Sequence, residues 1–294
     1  MIVDTHTHFY DPRRPQGIPW PKPTDKLLFR PCLPENLKSL AVPHGVTGTV
    51  VVEASSWVQD NQWLVDLADD EPFILGVVGN LDPRSSEFAA HLRQLTRHPI
   101  FRGIRVTGDL LDDLSDTALE HIQMLADAGL TLDLLIDTAH LPCAADLAKR
   151  VGPLHIVINH VARVSIGGRG VEPDPAWQTG IRAVAQHPHV YCKVSGLVER
   201  AGHEQAPADP SYYQPTIDVL WEHFGPQRLL YGSNWPVCER FGQYSTVFGI
   251  VETYFNAKGP DAAAKYFWQN SKAAYGWSER SKSMKRGGGV ISDQ

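Results

Sequence analysis

Short runs dense in apolar and β-branched residues recur along the chain, separated by longer stretches whose apolar positions fall every three or four residues. The short runs are IVDTHTHF (2–9), GTVVVEAS (48–55), FILGVVGN (73–80), FRGIRVTG (101–108), LTLDLLID (130–137), LHIVINHV (154–161), VYCKVSGL (190–197) and LLYGSNW (229–235). Runs of this length and content predict strands. The longer stretches include NQWLVDLADD (61–70), SSEFAAHLRQL (85–95), DTALEHIQMLADAG (116–129), AADLAKRVG (144–152) and TIDVLWEHFG (216–225), and their spacing is that of amphipathic helices. Strands that alternate with helices predict parallel βα units. Eight such units in 294 residues predict an α/β fold, a single (β/α)8 TIM-like barrel. An open doubly wound sheet fits less well, because no glycine-rich phosphate turn follows the first run.

Three segments depart from the repeat. Residues 11–34 form a long Pro-rich loop after strand 1, at the end where barrels bind substrates, and are expected to act as a lid or a surface loop. Residues 164–177 are a Gly/Pro-rich loop after the sixth run. Residues 278–294 are polar, with three consecutive glycines, and are expected to be a flexible tail beyond a barrel spanning 1–277.

Composition narrows the function. The net charge of −6 and the lack of a long basic run argue against nucleic acid. No apolar run is long enough for a membrane span. Cys32, Cys143, Cys192 and Cys238 form no C-x-x-C pair, as expected of thiols in a reducing compartment. The N-terminus reads as a strand rather than a signal peptide, so a cytoplasmic protein is expected. The expected partner is a small-molecule substrate, with a homo-oligomer left open.

Barrel enzymes carry their chemistry at the C-terminal ends of the strands. His6 and His8 are two residues apart on the first strand, so both imidazoles are expected on one face, able to hold a metal or polarise a carbonyl. The alternative is a structural pair. His160 ends the sixth run and is either a site residue or a core histidine bonded to a carbonyl. Arg105 shares a face with Gly103 and Thr107, and an inward arginine needs either an anionic ligand or an internal partner such as Glu53. Glu53 ends the second run and could be a base, a metal ligand, a hydroxyl acceptor or the partner of Arg105. Trp57 could wall a pocket or pack internally. Lys193 and Ser195 share a face, with Asp133 and Asp137 as candidate partners. Asn234 stands at the end of the eighth run, where a carboxylate would be more useful.

Taken in order, DTHTHFYDP, VEAS, VVGNLDP, FRGIRV, INHVA, VYCKVSGLV, YGSNWPV and YFWQNSKAAYGW resemble the amidohydrolase superfamily. The resemblance is to its lactonase-rich, amidohydrolase-related branch, which includes L-fuconolactonase-, L-rhamnonolactonase- and 2-pyrone-4,6-dicarboxylate lactonase-like members. It covers residues 1 to about 277. It implies a barrel with its site at the C-terminal mouth, histidines His6, His8 and His160 acting on a lactone carbonyl, and hydrolysis to the hydroxy acid. A divalent metal such as zinc is implied as an option, on His6, His8 and His160, that such members often do not require; no organic cofactor is expected. Two positions depart from the family pattern. Asn234 replaces the aspartate of G-[ST]-D-W-P, which acts there as base and proton shuttle, and Glu53-Ala54 replaces the usual Gln-Ala. Asn234 can orient water but cannot take its proton. The leading expectation is therefore a sugar-acid lactonase with Glu53 or a histidine as base. Arg105, Trp57 and Ser195 would then contact substrate. Alternatives are a metal-dependent hydrolase acting on another C–O or C–N bond, and a barrel that binds a sugar acid without turning it over.

Overall fold

A computed structural model describes residues 1–280, so all but the first three residues of the expected tail lie outside the described residues. One parallel sheet runs in the order β1 to β8. Its strands are β1 Val3–Thr7, β2 Gly48–Val52, β3 Ile74–Gly79, β4 Phe101–Thr107, β5 Thr131–Leu135, β6 His155–Ile158, β7 Val190–Val194 and β8 Leu229–Tyr231. A bridge between Thr7 and Trp235 joins the last segment to the first. There Asn234 N donates to His6 O and His8 N donates to Trp235 O, both at 2.9 Å. The expected (β/α)8 barrel is the observed architecture.

Each apolar run contains its strand but extends past it at the C-terminal end. The run 154–161 keeps only 155–158 in the ladder, and 229–235 only 229–231. The remaining residues leave the sheet to carry site groups. The outer layer begins with α1 Pro34–Ala41, α2 Asp60–Asp70, α3 Phe88–Leu95, α4 Asp109–Asp112, α5 Asp116–Asp127 and α6 Leu141–Arg150. It continues with α7 Pro175–Ala185, α8 Gln214–Phe224, α9 Tyr244–Ala257, α10 Pro260–Ala264 and α11 Asn270–Tyr275. The loop read as 164–177 ends sooner. The Asp174 side chain accepts from Trp177 N, Pro175 sits in the first turn, and α7 starts there.

The pairing of β1 with β2 decides which way the first histidines face. Val3 pairs with Gly48, Asp4 with Thr49 and Thr7 with Val51, so three steps on β1 match two on β2. The extra residue is a β-bulge, which breaks strict alternation. Asp4 and Thr7 both reach the outer side, where Tyr244 of α9 donates to Asp4 Oδ2 at 3.0 Å and Thr7 Oγ1 lies 2.7 Å from Thr49 Oγ1. His6 and His8 turn into the barrel. Below them, Val3, Val52, Val78 and Val157 pack with Tyr275 and Trp277 from the C-terminal end of the barrel domain.

Candidate active site

His6, His8 and His160 meet at the mouth. The His6 ring centroid lies 5.0 Å from that of His8 and 4.2 Å from that of His160. His8 Nδ1 lies 2.9 Å from Val52 O and 3.1 Å from Glu53 O. Only an N–H suits two carbonyls, so the neutral ring keeps its lone pair on Nε2. Burial first, and the Arg105 charge second, push the His8 imidazole down to about 3. His160 Nδ1 lies 2.9 Å from Ser195 Oγ, and burial followed by Arg105 holds His160 well below the usual histidine range. His6 is also held low, by burial and then by His160 and Lys193. At neutral pH the three rings are uncharged.

The backbone that presents His160 is unusual. His160, Val161, Ala162 and Arg163 all have φ between 50° and 53°. Left-handed conformations cost free energy for residues with a Cβ, most for a β-branched one such as Val161. The turn is held from outside, where Trp177 Nε1 donates to Val161 O at 2.8 Å. Asn234 is also left-handed, with φ of 60°, a conformation that asparagine tolerates.

Arg105 and Glu53 form a fork. Arg105 Nε and Nη2 donate to Glu53 Oε1 at 2.9 and 2.7 Å, and Nη2 also reaches Glu53 O at 2.9 Å. The internal partner weighed for Arg105 is therefore the one found. Behind the histidines, Lys193 Nζ donates to Asp133 Oδ2 at 2.8 Å and lies 3.3 Å from His6 Nδ1.

A cavity of about 690 Å³ opens over this floor. His8, His160, Asn234, Arg105 and Glu53 line it, together with Trp20 from the Pro-rich loop. His6 does not: it is fully buried behind the other two, and its Nε2 has no partner. Ser195 is buried too and supports His160 rather than facing the cavity. Trp57 is 37% exposed and lies outside the lining, so neither of its expected roles is seen. Asp137 bonds His140 Nδ1 at 2.7 Å instead of Lys193.

Sequence reasoning passed over two carboxyls. Asp4 Oδ1 accepts from Ser233 N at 2.9 Å and His6 N at 3.2 Å, tying the first strand to the turn that carries Asn234. Burial pushes Asp4 up to about 6. Glu199, in the turn after β7, accepts from Asn234 Nδ2 at 2.7 Å. Burial pushes it up to about 7. The contact joins residues 35 apart in sequence, and no local pattern in LVER signals it.

The expected metal trio does not fit this arrangement. Among the described residues no group of three or more His, Cys, Asp or Glu is placed to hold one metal ion. His6 shows the reason. Its Nδ1 takes the Lys193 ammonium, so the neutral ring carries its proton on Nε2 and has no lone pair left for a metal.

A parallel barrel with polar side chains gathered at the C-terminal mouth has the layout of a barrel enzyme's active site. The chain belongs to the amidohydrolase family, whose model matches residues 3–277. It is 35% identical to an L-fucono-1,5-lactonase of Burkholderia ambifaria over 277 residues, which is 92% of this chain and 93% of that one. A second L-fucono-1,5-lactonase, from Burkholderia multivorans, is 27% identical over 93% of this chain and 95% of its own length. Among solved structures, an amidohydrolase from Burkholderia multivorans with bound zinc superposes with a TM-score of 0.84 at 25% identity, covering 95% of this chain and all of that one.

Proposed function

We propose that the protein hydrolyses a sugar-acid lactone to the hydroxy acid. The observation that carries this reading is the convergence of His8, His160, Asn234 and Arg105 on one cavity. The similarity to L-fucono-1,5-lactonases over nearly the whole chain supports the substrate class. Glu53 is held by Arg105 through Oε1, with the guanidinium donating to it from Nε and Nη2, so this pair binds and orients. His8 Nε2 faces the Asn234 amide at 3.3 Å. That leaves His160 as the base: its Nδ1–H rests on Ser195 Oγ, and Nε2 takes a proton from water. Hydroxide attacks the lactone carbonyl, Arg105 stabilises the oxyanion, and the imidazolium returns its proton to the leaving alkoxide.

The test is a panel of aldonolactones and acidic lactones, with acid release followed by a pH indicator, with and without chelator. Opening of at least one aldonolactone, insensitive to chelator, is expected. His160→Ala is expected to lower kcat by roughly 10²–10⁴-fold. A wild type inert on the panel, or a His160→Ala variant at the wild-type rate, overturns the assignment.

A further inference from the structure

Glu199 does not reach the cavity; it stands behind Asn234, which does. Three features of this contact do not suit an ionised carboxylate. First, Glu199 Oε2 is buried with no hydrogen-bond partner, although the residue as a whole is partly exposed. A charged oxygen in that position goes uncompensated. Second, with Asn234 Nδ2 donating to Glu199, the other end of the amide, Oδ1, faces His8 Nε2 at 3.3 Å. Third, His8 Nδ1 must be the N–H, because it lies against two carbonyls, so Nε2 is a lone pair. Two acceptors then face one another.

Turning the amide over removes the clash of acceptors, and with the acid neutral the unpaired Oε2 carries no charge. Its two ends have nearly the same size and shape, so the same positions accept either orientation. Asn234 Nδ2 then donates to His8 Nε2, and Asn234 Oδ1 accepts from Glu199. That last bond requires a proton on Glu199 Oε1. The result is one directional chain: Glu199 O–H to Asn234, Asn234 N–H to His8, His8 N–H to Val52 O.

We propose that Glu199 is held as a neutral carboxylic acid and is the positioning residue that fixes which end of the Asn234 amide faces His8 and the cavity. The carboxylate expected at the end of strand 8 is thereby replaced by a pair, an amide at the strand end and an acid behind it. The charged and titratable groups around Glu199 are Arg200 on its own turn, Tyr213 at the start of α8, Cys238 after β8, and His8 across Asn234. Burial favours the neutral form and outweighs the three influences that favour the ionised one, which are the Glu199 backbone N–H, the Asn234 amide and then Arg200. The consequence for turnover rests on the lactonase reading; the protonation itself does not.

Infrared spectroscopy of the full-length protein tests the protonation directly. Labelling with carboxyl-13C glutamate should shift a protonated-carboxyl band at pH 6 in the wild type. That band should be absent from Glu199→Gln and should fade as pH rises through about 7. The label separates glutamate from Asp4, and the absence of any labelled protonated band in the unsubstituted protein decides against the proposal even if the variant fails to fold. The kinetic arm follows kcat/KM for an opened lactone against pH. The acid orients the amide, so the wild type should lose activity as pH rises through about 7. Glu199→Ala should fall at least ~10-fold at pH 6. Glu199→Gln, whose N–H can donate as the acid does, should recover that loss and abolish the alkaline fall. Absence of a glutamate-sensitive protonated band overturns the proposal, as does an alkaline fall that persists in Glu199→Gln. Inert wild type on all lactones overturns the function alone, and the infrared arm still decides Glu199.

Discussion

Lys193 has 0% of its side chain exposed, and so has its partner Asp133. Burial lowers the Lys193 pKa and Asp133 opposes that shift. Asp133 is satisfied on all sides: Tyr275 OH donates to both its oxygens at 3.0 Å, and Asn159 Nδ2 donates to Oδ2 at 3.0 Å. Removing only the lysine leaves a buried charge without its counter-ion. Lys193→Met is expected to cost ~3–5 kcal/mol, read as a shift in urea midpoint, and Lys193→Met with Asp133→Asn should recover part of it. A single-variant loss under ~1 kcal/mol would mean that Asp133 does not depend on this charge. Both residues stand out in the sequence, but their pairing does not. The run LTLDLLID has apolar residues on both faces, so alternation cannot tell which way Asp133 points. The same limit hid Glu199, whose role depends on a partner from another strand end. His8, His160 and Asn234 were legible because each stands at the end of an apolar run, and in a barrel such ends converge; Arg105 was legible from strand alternation.

At the scale of elements, the strands were legible from apolar runs and the site geometry was not. The bulge in β1 has no marker in VDTHT, yet it sends Asp4 outward and both histidines inward. The left-handed turn at His160–Arg163 contains no glycine to announce it. Glycine does matter opposite that turn. Gly196, just beyond β7, has a φ of +66°, and a Cβ there would lie 2.8 Å from His160 Cβ and 3.0 Å from its Nδ1. Gly196→Ala therefore adds a left-handed cost of ~1–2 kcal/mol and pushes the proposed base off its position. Displacement of a catalytic group by about 1 Å can cost ~10²-fold in rate. The expected outcome is a loss in kcat of that order, with far-ultraviolet circular dichroism unchanged at 25 °C. Wild-type kcat in a folded Gly196→Ala protein would show that His160 is not the base or that the turn yields freely.

Over the whole molecule, the mouth of the barrel couples stability to pH in two opposite directions. His6, His8 and His160 have depressed pKa values, so the unfolded chain takes up protons that the fold refuses. Their contribution is present above the ordinary histidine value and is lost as pH falls below it. Asp4 and Glu199 are raised, so their contribution is complete below the ordinary carboxyl range and is lost as pH rises through about 6 and about 7. Three groups against two leave the unfolded state binding more protons between these limits. Unfolding free energy should therefore climb from pH 5 to pH 7 and flatten above. Glu199→Gln isolates one of the opposing groups. Without that carboxyl the fold no longer holds an extra proton, and the climb steepens by one proton, or ~1.4 kcal/mol per pH unit, between about 4.5 and about 7. Denaturant unfolding of both proteins at half-unit intervals measures the difference. Parallel curves across that window would mean that Glu199 is ionised in the fold, and the polar mouth would then have to find another partner for His8.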